Sequence, residues 1–216
     1  MKTDSQLQRD VMDELAWDPS IDQAQIGVAT KDGVVTLSGF ISNYAQKMSA
    51  ERAAERVHGV KGIAEELKVR FLSDPKTSDD EIARRVLDLF SWDVTIPNDK
   101  VMVKVENGYV TLTGTLEWNY QKEAARRAAG RITGVIGVNN LIKISNEVPV
   151  SDVRDRIMAA FKRSATADAN GLSVTANGST VKLSGNVHGR HERQAAERTA
   201  WAAPGVCCVE DEIVVL

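Results

Sequence analysis

The chain has 216 residues, 43% apolar and 26% charged, with a formal net charge of −3. That balance excludes a disordered polypeptide, and no part of the chain is basic enough to suggest a nucleic-acid partner by composition. The two cysteines, Cys207 and Cys208, are adjacent, which is poor placement for an ordinary disulfide and suits a reducing compartment.

The opening residues Met1 to Asp10 contain no apolar run that would serve as a signal-peptide core, and no later segment approaches a membrane span. As written, the chain is expected in the cytoplasm, or in the periplasm if an export signal was removed upstream of it. The first predicted element is an amphipathic helix carrying Leu7, Val11, Met12 and Leu15 as one apolar stripe. A polar loop containing Pro19 ends it. Strict alternation through Ile26, Val28 and Thr30 follows, then a turn at Lys31-Asp32-Gly33 and a second alternating run through Val35 and Leu37. Asp-Gly between two period-two segments predicts an antiparallel hairpin.

After Gly39 the period becomes helical through an alanine-rich segment that is expected to stop at a glycine cap, Gly59. A third alternating run, Ile63, Leu67 and Val69, completes the unit. A helix connecting two strands makes a crossover, so this third strand is expected to lie parallel to a hairpin strand.

The same order recurs twice more. Gly33-Val-Val-Thr-Leu-Ser-Gly39 reappears as Gly108-Tyr-Val-Thr-Leu-Thr-Gly114 and as Gly178-Ser-Thr-Val-Lys-Leu-Ser-Gly185, the last one residue longer. From those closing glycines the copies align without a gap over 39–70, 114–145 and 185–216. The leading helices carry Ile82, Val86, Leu87 and Phe90, then Val153, Ile157, Met158 and Phe161. Ser78-Asp-Asp-Glu81 reads as a capping box for the second of these, and Ser151 as a cap for the third. Turns are expected at Asn107-Gly108 and Asn177-Gly178, and glycine caps at Gly134 and Gly205.

A period this long is a small domain rather than a solenoid unit. The fold class is therefore α+β: three tandem α-β-β-α-β domains at 1–72, 76–146 and 149–216, each a three-stranded mixed sheet with two helices on one face. The linkers Phe71–Thr77 and Asn146–Val150 are short and contain proline.

In these features the chain resembles the BON family, bacterial domains named after osmotically inducible and nodulation proteins. The resemblance rests on the Gly-x-Val-x-Leu-x-Gly strand, the alanine-rich helix with Arg52, Arg127 and Arg198, and the glycine-valine pairs at Gly59-Val60, Gly134-Val135 and Gly205-Val206. It covers nearly all of the sequence. It implies the same α-β-β-α-β fold, a role in envelope or stress proteins, binding to anionic phospholipid or to partner proteins, and no known enzymatic activity.

Helical geometry places Ala50, Ala54 and Val57, with their equivalents, within about 40° of one another on the packed face of the second helix. Arg52, Arg127 and Arg198 fall on the solvent side. In copy one the exposed arc Glu51, Arg52, Glu55 and Arg56 alternates in sign and reads as a solvated face. In copy two the arc holds Tyr120, Glu123, Arg126, Arg127 and Arg131, a mainly cationic patch suited to phosphate headgroups. In copy three it holds Arg190, Arg198 and Trp201, an interface-like composition that equally suits packing against a neighbouring copy. Tyr120, Arg126, Arg127, Arg131, Arg190, Arg198 and Trp201 are the candidate binding residues. Trp17 and Trp92 read as core or edge packing. Trp118, if helical, points near the packed face, and Gly130 in mid-helix implies a close approach by something else.

No catalytic residue, cofactor or metal site is expected. A zinc site from His188, His191, Cys207 and Cys208 would need both sulfurs of a vicinal pair to face one ion, against strand alternation. The acidic pairs Glu65-Glu66 and Asp211-Glu212 lie on the third strands, with at least one of each pair facing solvent. The functional expectation is a non-enzymatic protein, stress- or envelope-associated, that docks on an anionic phospholipid surface through its second helices. The alternative is a protein-interaction, assembly or chaperone-like module without a lipid ligand, with cation sensing ranked last; the sequence leaves the oligomeric state open.

Overall fold

Apolar residues spaced four apart, then two apart, fold each copy as helix, strand, strand, helix, strand. The computed structural model describes residues 2–70, 77–145, 153–163 and 171–216. Copy one comprises α1 (Asp4–Trp17), β1 (Ile26–Lys31), β2 (Val34–Ile41), α2 (Tyr44–Arg56) and β3 (Gly62–Val69). Copy two comprises α3 (Asp79–Trp92), β4 (Val101–Glu106), β5 (Tyr109–Leu116), α4 (Asn119–Ala129), β6 (Gly137–Asn140) and β7 (Lys143–Ile144). Copy three comprises α5 (Val153–Arg163), β8 (Leu172–Asn177), β9 (Thr180–Val187), α6 (Arg190–Trp201) and β10 (Cys208–Val215). The linker residues 71–76 and 146–150, and the cap expected at Ser151, lie outside the described residues.

The middle strand of each sheet pairs antiparallel with the first strand and parallel with the third, as the crossover requires. In copy one the parallel pairing shows in Lys61 N–H donating to Gly33 and Arg70 N–H to Ile41. The leading helices bury positions i, i+4 and i+8: Leu7, Val11 and Leu15; Ile82, Val86 and Phe90; Val153, Ile157 and Phe161. The i+5 residues Met12 and Leu87 are exposed and Met158 is half-buried, so the stripe is narrower than the sequence pattern suggested. The second helices bury Ala50 and Ala54, Ala125 and Ala129, or Ala196 and Ala200. Alanine there lets helix and sheet approach closely, and in copy two both helices share one core with Val110, Leu112 and Leu116 of β5. Truncating Phe90 or Phe161, both fully buried, to alanine is expected to cost about 3–5 kcal/mol.

Two glycine positions explain the repeated motif. At Gly39, Gly114 and Gly185 the backbone has φ of 121°, 136° and 128°. A Cβ there would sit 2.1, 2.0 and 2.0 Å from the carbonyl oxygens of Gln25, Lys100 and Gly171, so no other residue fits. In the first two hairpins the loops Asp32-Gly33 and Asn107-Gly108 have positive φ at both residues, as a type I′ turn needs. The third hairpin differs from expectation. Asn177 pairs with Thr180, so the loop is Gly178-Ser179 with glycine first, and the apparent extra residue of copy three disappears when Gly178 is matched to Asp32 and Asn107.

Other local expectations are corrected. Ser78 makes no capping bond from its side chain, and its hydroxyl instead meets Asp80. The capping box forms at Thr3 and Gln6. The second helices end before Gly59, Gly134 and Gly205, which sit in separate turns closed by Val60 to Val57, Val135 to Ile132 and Val206 to Ala203. Gly130 is the C-cap of α4, not a mid-helix residue. The third strands share a local side-chain bond: Glu65, Asn140 and Asp211 each accept a hydrogen bond from the N–H two residues on. Glu65 also pairs with Lys47 at 2.5 Å and Asp211 with Arg193 at 2.6 Å, tying the second helix to the sheet.

The described chain divides into two densely packed units, one holding copies one and three, the other copy two with the start of α2 (Ile41–Ala45).

Candidate docking surfaces

The arcs on the three second helices start from equivalent sequence positions and end in different surroundings. In copy two, Tyr120 is exposed on the first turn of α4, and Arg127 and Arg131 are exposed further along. Arg126 is half-buried and pairs with Glu123 at 3.0 Å, one turn back. Tyr120, Arg127 and Arg131 are thus the outward members of the predicted patch.

Trp92 and Trp17 overturn the expectation of core or edge packing: they are 85% and 83% exposed. The cause is the turn that follows each. Thr95 donates from its N–H and hydroxyl to Asp93 at 2.9 and 2.6 Å, and Ser20 does the same to Asp18 at 3.0 and 2.7 Å. These side-chain turns stop the helix and leave the preceding tryptophan on the surface. Val94, inside the turn of copy two, is fully exposed. The Thr95 hydroxyl, then its N–H, hold the Asp93 carboxyl below its ordinary value, with Arg127 contributing by its charge. The helix that this turn ends, α3, and the helix that carries the basic arc, α4, pack into the same copy-two core. The sequence signal was present in the Trp-Asp-x-Ser/Thr pattern, which identifies a turn immediately after the indole.

Copy one is different again. Arg52 is exposed as expected, but Glu55, read as solvated, is 6% exposed. It accepts from Arg190 Nη2 at 2.9 Å and from the Gln194 amide, both on α6, in the unit formed by copies one and three. Arg190 is therefore a partner of Glu55. Arg56 pairs with Glu14 on α1 at 2.8 Å. In copy three Arg198 is exposed with its Nε donating to the Gln194 carbonyl, and Trp201 is half-buried against the core of its own copy. Trp118 is not helical; it sits half-buried just ahead of α4.

In the unit containing copy two, Tyr44 packs against the copy-two core. Its ring carbons lie 3.1 and 3.2 Å from where a Cβ on Gly130 would stand, which is the close approach that glycine implied. Among the described residues no group of three or more His, Cys, Asp or Glu side chains is placed to hold a metal ion, and no helix is long and apolar enough to cross a membrane.

The family model of the BON domain matches residues 3–70, 78–146 and 149–216. The chain belongs to the BON family. Osmotically-inducible protein Y of Escherichia coli (strain K12) is 32% identical to this BON chain over 149 residues, 65% of the chain and 72% of that protein. Among solved structures, CdsD of Chlamydia trachomatis, a structural protein of the type III secretion system, is 15% identical with a TM-score of 0.27, covering 98% of this chain and 92% of that one. A structure of the CdsD C-terminal domain gives 14% identity and the same TM-score, over 96% of each chain. The three BON copies repeat one pattern of core positions and differ in what their second helices face.

Proposed function

We propose that this BON protein is a non-enzymatic, stress-associated binding protein that docks on anionic phospholipid surfaces through the α3–α4 face of copy two. The stress association follows from its likeness to an osmotically inducible protein. The docking reading is carried by one observation: Trp92 and Val94 stand out from the surface at the end of α3, and Arg127 and Arg131 are exposed on and just after α4, the helix that shares its core. An indole and an aliphatic side chain suit the boundary between headgroups and acyl chains. Each basic residue near an anionic membrane surface adds about 1 kcal/mol. Tyr120 extends the same composition. Arg190, engaged by Glu55, leaves the copy-three arc a smaller part.

Flotation with anionic and zwitterionic liposomes at low salt tests this. Binding should occur to the anionic vesicles, weaken as salt rises, and fall away in Arg127→Glu/Arg131→Glu and in Trp92→Ala. Equal binding to both vesicle types, or to neither, rejects it. A protein partner is the second reading, favoured by Trp17, which is as exposed as Trp92 while the nearby Arg56 is paired with Glu14. That reading predicts lipid-free association that Trp17→Ala abolishes and Trp92→Ala leaves intact.

A further inference from the structure

Copy three contains an open groove of about 600 Å³ between α5 and α6, within the size range of small-ligand sites. Its apolar floor includes Ala160, Ala202 and Ala203, and three exposed arginines, Arg156, Arg163 and Arg198, border it. Among the described residues no acidic side chain lines it.

The groove has a cause in the sequence. Ala160 occupies the position of Glu14 in copy one and Leu89 in copy two, and Ala202 that of Arg56 and Arg131. In copy one Glu14 and Arg56 bridge the two helices at 2.8 Å, and in copy two Leu89 packs half-buried against the core. Two alanines in copy three remove both means of closure. Arg163, for its part, stands where copies one and two present Trp17 and Trp92. The exchange puts a cation on the border of the groove.

From this we propose that the α5–α6 groove binds a fatty acid, its single acyl chain along the alanine floor and its carboxylate on the bordering arginines. The alanine methyls, with Ile157 and Pro204 beside them, offer aliphatic surface of the kind a polymethylene chain buries. The arginine border supplies the charge complement, with planar donor pairs matched to a carboxylate. Arg198 keeps its Nε on the Gln194 carbonyl and so presents the guanidinium from a fixed position.

Titration of the full chain with laurate below its micellar concentration, followed by calorimetry and by methyl NMR of Ala160 and Ala202, tests the assignment. Saturable one-to-one binding with shifts at those methyls is expected. Arg163→Glu, an exposed position, should weaken it about tenfold, the scale of one charge-assisted hydrogen bond. Ala160→Glu/Ala202→Arg, which rebuilds the copy-one bridge, should abolish it while the melting temperature is retained. If that double variant fails to fold, Arg163→Glu still decides. No laurate binding, equal binding of dodecyltrimethylammonium, binding of dodecyl phosphate but not laurate, or unchanged binding in Arg163→Glu would each overturn the proposal.

Discussion

Glu55 in copy one and Gly130 in copy two occupy the same place in the repeat, and both are covered by the first residue of another copy's second helix. At Glu55 the visitor is Arg190, and the contact is an ion pair reinforced by Gln194. At Gly130 the visitor is Tyr44, and the contact is an aromatic ring laid on bare backbone. Arg190 and Tyr44 are themselves equivalent positions. One geometry is thus satisfied by two chemistries, charge with charge and ring with glycine. The lesson is that a polar position on a helix is solvated only if no neighbouring copy claims it.

The comparison breaks most sharply at Glu55. Glu55→Ala leaves the Arg190 guanidinium without its carboxylate at a junction where Glu55 is 6% exposed. A loss of about 2–3 kcal/mol is expected, below the range for fully buried pairs because the Arg190 side chain is 28% exposed. Urea unfolding measures it, and Glu55→Leu/Arg190→Leu should recover part of the loss. Gly130→Leu comes next: the new side chain must displace the Tyr44 ring, at a cost of about 1–3 kcal/mol. Gly130→Ala sharpens the point. Its φ of −68° suits alanine, so the reduced freedom of the unfolded chain, about 0.4–1 kcal/mol, should roughly offset the tight ring contact, leaving stability nearly unchanged.

The solvent sides of the same helices give smaller effects. Arg127→Glu should weaken binding to anionic vesicles by roughly tenfold or more, at about 1 kcal/mol per unit charge, while Arg52→Glu at the matching position leaves binding unchanged. Vesicle co-sedimentation at fixed salt separates them. Smallest is the turn that holds Trp92 out. Because Asp93 has a lowered carboxyl, chiefly through the Thr95 hydroxyl, its contribution to stability is present at neutral pH and is lost as pH falls below about 4. Thr95→Val should therefore lower the melting temperature slightly at pH 7, with the difference shrinking toward pH 3. A difference that grows on acidification contradicts that assignment.

Much of the fold was legible because local patterns carry it. Apolar spacing defined the helices, Asp-Gly and Asn-Gly the first two hairpins, and the alanine face of the second helix was read correctly from 3.6-residue periodicity. At least one of each acidic pair on the third strands was expected to face solvent, and Glu66 and Glu212 do; that Glu65 and Asp211 also accept backbone hydrogen bonds and tie down the helix was not legible, since such bonds leave no periodic trace.

The exposed arc on copy two followed from sequence because helix periodicity alone sets which side chains point away from their own sheet. The burial of Glu55, the outward turn of Trp17 and Trp92, and the alanine-floored groove of copy three did not. The tryptophans turn on a local side-chain bond that periodicity does not register, whereas the other two depend on what a second element brings: Arg190 from another copy, or the loss of a bridging pair on two helices far apart in the chain. Periodicity says which way a residue faces, but only packing decides whether water, ligand or protein meets it there.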